Sequence, residues 1–148
     1  MAIDANTLES LDLFNELMPD ELETLAGLAE HVRISEGEII TRRTEPAHIF
    51  YVTLSGNYMI YFKEGRAFTL HGSGCIIGMS TVLTPFRYRA TTVALTDGEA
   101  VSMSGDKFLK LVQSNALLGE KMMRKINDII GKRPICNEAA TKKMAEAG

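Results

Sequence analysis

Ile49-Phe50-Tyr51-Val52-Thr53-Leu54-Ser55-Gly56-Asn57-Tyr58-Met59-Ile60-Tyr61-Phe62 carries two runs of β-branched and aromatic residues with a glycine between them. Residues of this kind fit a pleated, half-buried surface, so the stretch predicts two strands. Working outward, Val32-Arg33-Ile34 and Glu38-Ile39-Ile40 predict strands before it, and Arg89 to Leu95 and Glu99 to Met103 predict strands after it. The last two are joined by Thr96-Asp97-Gly98, whose Asp-Gly is a hairpin signal. Gly37, Gly65, Gly72, Gly74 and Gly78 fall between or beside the runs. That rhythm is expected of short antiparallel strands closed into a roll or sandwich.

Helices are predicted on both sides. Leu8, Leu11 and Phe14 recur on one face, and Met18-Pro19-Asp20-Glu21 places a proline and two acids at a second helix start, with Leu22, Leu25 and Leu28 as its apolar stripe. After the strands, Asp106 is the expected cap of a helix from Lys107 to Gln113. A longer helix from about Leu117 to Ile130 sets Leu118, Met122, Ile126 and Ile129 on one face, with Gly131 and Pro134 ending it and an alanine- and lysine-rich tail following. The boundaries read as helical 7–30, roll 31–104, C-terminal helices 105–131 and tail 132–148. The fold class is α+β: an eight-stranded antiparallel β-roll of the jelly-roll, double-stranded β-helix kind, flanked by N- and C-terminal helices.

The 148 residues, 45% of them hydrophobic, suffice for one domain with a continuous core. A formal net charge of −3 argues against nucleic acid as the main partner, because phosphate binding draws on a basic excess. The first residues have neither a basic leader nor an unbroken apolar run, and no segment approaches the ~20 apolar residues that span a bilayer. Cys75 and Cys136 are too few for a disulfide framework and form no C-x-x-C pair. The expected setting is cytoplasmic.

Ser35-Glu36-Gly37-Glu38-Ile39-Ile40, followed by Glu45-Pro46-Ala47 and by Tyr51-Val52-Thr53-Leu54-Ser55-Gly56, resembles the front half of cyclic-nucleotide-binding domains, over roughly residues 14–130. That resemblance implies a cassette of Gly-Glu-Leu, a short helical turn and Arg-x-Ala-Thr, in which the glutamate takes a ribose hydroxyl and the arginine neutralises a cyclic phosphate. The chemistry is reasonable, since an anion is held by a helix N-terminus and a guanidinium. Here the corresponding stretch begins Gly74-Cys75-Ile76-Ile77-Gly78-Met79-Ser80-Thr81 and ends Phe86-Arg87-Tyr88-Arg89-Ala90-Thr91. Met79 stands in the glutamate slot, and a thioether does not replace a carboxylate. Counting back from Ala90-Thr91 puts Tyr88 in the arginine slot between Arg87 and Arg89. One step of register decides which side chain faces inward, so the choice stays open at this point.

The candidate ligand-binding residues are therefore Gly78, Met79, Ser80, Thr81, Arg87, Tyr88, Arg89, Ala90 and Thr91. Ser80 and Thr81 would offer hydroxyls and amides to an anion. The expected ligand is a small, nucleotide-like or otherwise anionic molecule, with no cofactor and no metal assigned. His31, His48 and His71 are dispersed, and neither a three-ligand metal set nor a nucleophile elbow is present, which speaks against an enzyme. His71, Cys75 and Met79 keep a haem-type sensor open, and a dimerisation module with a vestigial pocket is the other rival. The Leu118-Met122-Ile126-Ile129 stripe is read as the seam of a homodimer, against the alternative that it packs on its own roll. Too little chain follows Leu118 for a helix-turn-helix, so no direct DNA binding and no membrane partner are expected, and any partner protein is unknown.

Overall fold

The computed structural model describes residues 2–78 and 87–129. Two four-stranded antiparallel sheets face each other. The first has the order β1 (Ala29–Ile34), β8 (Gly98–Ser104), β3 (Ile49–Ser55), β6 (Ile76–Ile77), and the second β2 (Ile39–Thr41), β7 (Ala90–Ala94), β4 (Asn57–Phe62), β5 (Ala67–His71). Eight strands with helices on either side in sequence make the α+β roll that the sequence predicts. β5 and β6 are the two strands not singled out from the sequence. Both faces of the first sheet are buried. Phe50, Val52, Ile76, Val101 and Met103 turn towards the helices, while Ile34, Ile77 and Ala100 join Tyr58 and Ala94 of the second sheet inside the roll.

The chain before the roll is more broken than one helical segment over 7–30. It forms α1 (Ala5–Glu9), a 3-10 turn (Asp12–Phe14) and α2 (Pro19–Ala26), and β1 already starts at Ala29. Pro19 opens α2, as its fixed φ and missing N–H favour at a first helical position. Helix α3 (Gly105–Ser114) is capped by Ser104, whose Oγ accepts from Lys107 N, rather than by Asp106, which lies in the first turn and pairs with Lys110. Helix α4 covers 116–129. The residues from 130 onward, including Cys136 and the tail, lie outside the described residues. No helix among the described residues is long and apolar enough to cross a membrane.

Two expectations need correction. Thr96-Asp97-Gly98 does not make a hairpin, because β7 and β8 belong to different sheets and the turn carries the chain across the roll. Asp97 Oδ1 accepts from Glu36 N at 2.8 Å, which ties this crossover to the β1–β2 turn. The second correction concerns α4. Leu118, Met122 and Ile126 are buried in one core with Leu8, Leu13, Phe14, Phe50 and Phe108 of the same chain, and Ile129 packs against that core. An apolar stripe already covered by its own chain cannot serve as the seam of a dimer.

Charged residues fix α4 in this seat. Lys121 Nζ donates to Glu21 Oε1 at 2.8 Å, Arg124 pairs with Glu16 at 3.2 Å, and Lys125 reaches Asp12 at 3.3 Å. Glu21 is buried, and the same oxygen accepts from Met18 N at 2.8 Å, which also closes the start of α2. The Lys121 hydrogen bond, then the Met18 amide, hold the Glu21 carboxyl below its ordinary pKa in spite of burial. A carboxyl lowered by folding stabilises the native state above its unfolded pKa and loses that contribution as pH falls through the folded value. Glu21→Gln is expected to cost about 1–3 kcal/mol at neutral pH. Urea titrations should show the gap to wild type narrowing below about pH 4.5, where the unfolded carboxyl begins to bind protons; a gap independent of pH would show that Glu21 is not ionised in its partnership with Lys121.

Candidate functional site

The site lies where β6 leaves the first sheet and the chain enters β7 of the second. Gly78 has φ +82°, and a methyl on it would come within 3.0 Å of Tyr88 Cε1 and 3.2 Å of Ile49 O. Glycine is needed there both for the backbone turn and for the ring above it. Tyr88 spans the gap between the sheets, its hydroxyl donating to Ile49 O at 2.6 Å. Its backbone is held from both sides, Tyr88 N donating to Glu45 O and Thr44 N donating to Tyr88 O.

Exposure alternates around this residue. Along β7, Thr92 and Ala94 are buried, and Tyr88, of the same parity just before the strand, is half-buried with its hydroxyl on Ile49 O. Arg87 and Arg89 are exposed. The Arg87 guanidinium donates to Thr44 O at 2.7 Å, at a residue whose own φ is +75°. Thr91 Oγ1 accepts from Arg43 N, and Ala90 O meets Thr41 Oγ1 at 3.0 Å, so both serve the edge between β2 and β7. Met79, Ser80 and Thr81, with Phe86, lie outside the described residues. Of the nine candidates, the structure thus places Gly78 and Tyr88 together, Ala90 and Thr91 on the adjoining strand edge, and the two arginines on the outside.

Sequence reasoning missed three polar residues of the interior. Thr41 and Thr92 are buried with their hydroxyl oxygens 2.9 Å apart, so that Thr41 donates to Ala90 O while accepting from Thr92. Tyr51, on β3, is half-buried beside the second core, and its hydroxyl has no hydrogen-bond partner among the described residues. Burial raises the Tyr51 phenol above its ordinary pKa, and the nearby Tyr88 and Glu38 charges add to the rise. Burial likewise raises Tyr88, against its backbone hydrogen bonds. Both phenols are therefore neutral donors at physiological pH. The signal for Tyr51 was available: in Phe50-Tyr51-Val52-Thr53 both parities are apolar or weakly polar, as in a strand buried on both faces.

Two other places bear on function. His71 lies on β5 with Nδ1 2.7 Å from Asn57 Oδ1 and Nε2 2.9 Å from Thr69 Oγ1, so each ring nitrogen, either of which could ligate a haem iron, is engaged by its own sheet. A cleft of about 410 Å³ lined by Arg33, Ser35, Ser55, Asp97 and Glu99 sits at the opposite end of β7 from Tyr88. Among the described residues no three His, Cys, Asp or Glu side chains converge as a metal site requires.

Two facing antiparallel sheets with helices on either side in sequence define a β-roll domain, and residues 31–115 match the cyclic nucleotide-binding domain family. The chain belongs to that family. It is 27% identical over 122 residues to an uncharacterised NTE family protein of Mycobacterium tuberculosis, a match covering 82% of this chain and 21% of that protein. The chain thus spans about a fifth of the length of that curated relative. Among solved structures it is similar to a putative cyclic nucleotide-binding protein from Geobacter metallireducens, with a TM-score of 0.80 and 20% identity over 88% of this chain and 98% of that one. It is also similar to the sensor domain of the transcriptional regulator DNR from Pseudomonas aeruginosa, with a TM-score of 0.71 and 25% identity over 89% and 96% of the two chains.

Proposed function

We propose that the chain is a cytoplasmic ligand-sensing regulatory domain rather than an enzyme, and that its roll takes a small neutral molecule in place of a cyclic phosphate. The observation that carries this reading is the position of Tyr88. Half-buried, it hydrogen-bonds to Ile49 O of the other sheet at the position that the family resemblance gives to the phosphate arginine, while Arg87 and Arg89 are exposed. Residues 78–86 contain no ionisable side chain at all, so that stretch supplies no cation to replace the missing guanidinium. Among the described residues the groups near this position are hydroxyls beside apolar side chains: the Tyr51 phenol, which has no hydrogen-bond partner among the described residues, Tyr88 and the Thr41–Thr92 pair. Such a lining suits a ligand that is mostly apolar with one or two hydrogen-bonding groups. The anionic ligand expected from the sequence fits this lining less well.

Occupancy would bias the seat of α4, the element next to any following domain, and a partner or further domain would read that change. The test compares cyclic AMP with adenosine, which has the same ring and sugar without the charge, by following the amides of Gly78, Tyr88 and Thr92. The expected result is no gain for the phosphate, with the two dissociation constants within about threefold. Cyclic AMP binding at least ~10-fold tighter than adenosine, about 1.4 kcal/mol, would show a cation in the pocket and end this reading.

A further inference from the structure

Six cations gather at one end of the second sheet. Arg42 and Arg43 follow β2, Lys63 and Arg66 belong to the β4–β5 turn, and Arg87 and Arg89 precede β7. The three segments are neighbours: Phe62 pairs with Ala90, Tyr61 with Thr91, and Arg43 N donates to Thr91 Oγ1. Among the described residues none of the six is in an ion pair, although every cation of α4 is. Glu45 and Glu64 are the carboxylates in the same turns. Beside the cations, the outer face of this sheet exposes Tyr61 at 47%, Ile39 at 39% and Met59 at 38%.

The complement of this surface is on the same molecule. Residues 1–30 hold eight Asp and Glu and no Lys or Arg, and the elements they form cover the outer face of the first sheet, on the far side of the roll. The α4 cations engage Asp12, Glu16 and Glu21, which leaves Asp4, Glu9, Asp20, Glu23 and Glu30 exposed and outside any ion pair among the described residues. Met18, 57% exposed, stands among them, and Leu117, 61% exposed, lies one turn before Lys121 on the same side of α4. Each side of the molecule therefore offers exposed apolar side chains with charges around them, and the charges have opposite sign.

We propose that the outer face of the second sheet, where Tyr61, Ile39 and Met59 are exposed, docks onto the helical side of a second copy of this chain, head to tail. Because the two surfaces lie on opposite sides of the roll, the contact is heterologous, and one copy engaged on one side keeps its other side free. Association of this kind extends beyond a dimer unless the rotation closes a ring. It is also salt-sensitive, since exposed charges are screened within ~10 Å at 0.1 M salt.

Sedimentation of the 148-residue chain tests this. In ~20 mM salt the weight-average mass should rise with concentration past that of a dimer, and in ~0.5 M salt it should fall to that of a monomer. Arg42→Glu with Lys63→Glu removes one surface, and Glu9→Lys with Glu23→Lys removes the other, with circular dichroism as the folding control. Each double variant alone should be monomeric in low salt. Mixed in equal amounts they should form a heterodimer that grows no further, because only one productive pair of surfaces remains. A wild type monomeric at roughly 200 µM in low salt, association unchanged in either variant, or variants that ignore each other on mixing would overturn the proposal. So would a monomeric chain that binds phosphatidylserine vesicles through the same cations, which would make the surface a membrane contact.

Discussion

Met122→Asp is expected to lower stability by about 3–5 kcal/mol, a large part of the margin of a domain this size. Met122 is fully buried and shares its core with Phe14, Phe50 and Phe108. An aspartate there leaves a carboxylate among apolar side chains with no partner, and the thioether's packing is lost as well. The urea midpoint should fall sharply, and helical circular dichroism should be lost if α4 leaves its seat before the roll unfolds. Ile126→Glu, one turn on, should behave in the same way. The outcome separates two architectures, because a helix serving only as a dimer seam would yield a folded monomer with an unchanged midpoint.

Gly98→Ala is expected to cost about 1–3 kcal/mol although the backbone there is not left-handed. An added methyl would sit 2.5 Å from Ser55 O, 2.6 Å from the Tyr58 hydroxyl and 3.0 Å from Gly56 Cα. Only the hydroxyl can be removed without moving backbone. Tyr58→Phe in the same background should recover part of the loss, even though Tyr58 normally donates to Ser55 O at 2.6 Å. Gly65→Ala is a useful contrast, because a methyl there meets nothing within 4 Å and only its φ of +84° opposes the change. A Gly98→Ala protein as stable as wild type would mean that the β7–β8 crossover is looser than described.

The strands legible in the sequence are those with enough length and β-branched or aromatic content to show a pattern, β3 and β4 above all. Ile76–Ile77 is too short to have a period, and Ala67-Phe68-Thr69-Leu70-His71 mixes its signals. Asp97-Gly98 was read correctly as a turn but wrongly as a hairpin. Turn chemistry is local and says that the chain reverses, whereas the choice of sheet is made by Tyr58, Ser55 and Glu36 far away in sequence. Likewise the spacing of Leu118, Met122 and Ile126 reports a buried face without saying what buries it. At the candidate site the sequence reading puts the departure from the family pattern at residues 79–88, of which 79–86 lie outside the described residues. Which of Arg87, Tyr88 and Arg89 faces the other sheet depends on a parity that sequence does not carry, and in the structure it is Tyr88 that reaches Ile49 O. The nearness of Tyr51 to Tyr88 carries no signal in the local sequence, because it arises only when strands far apart in sequence meet.

The central claim is that a phenol holds the inward position where a guanidinium would meet a phosphate. Calorimetric titration of cyclic AMP into Tyr88→Arg and wild type, side by side, tests it most directly. The wild type is expected to give no binding tighter than about 100 µM and Tyr88→Arg to gain at least ~10-fold in affinity, as one charge-assisted contact allows. Micromolar binding by the wild type that Arg87→Ala or Arg89→Ala abolishes, with no gain from Tyr88→Arg, would contradict it.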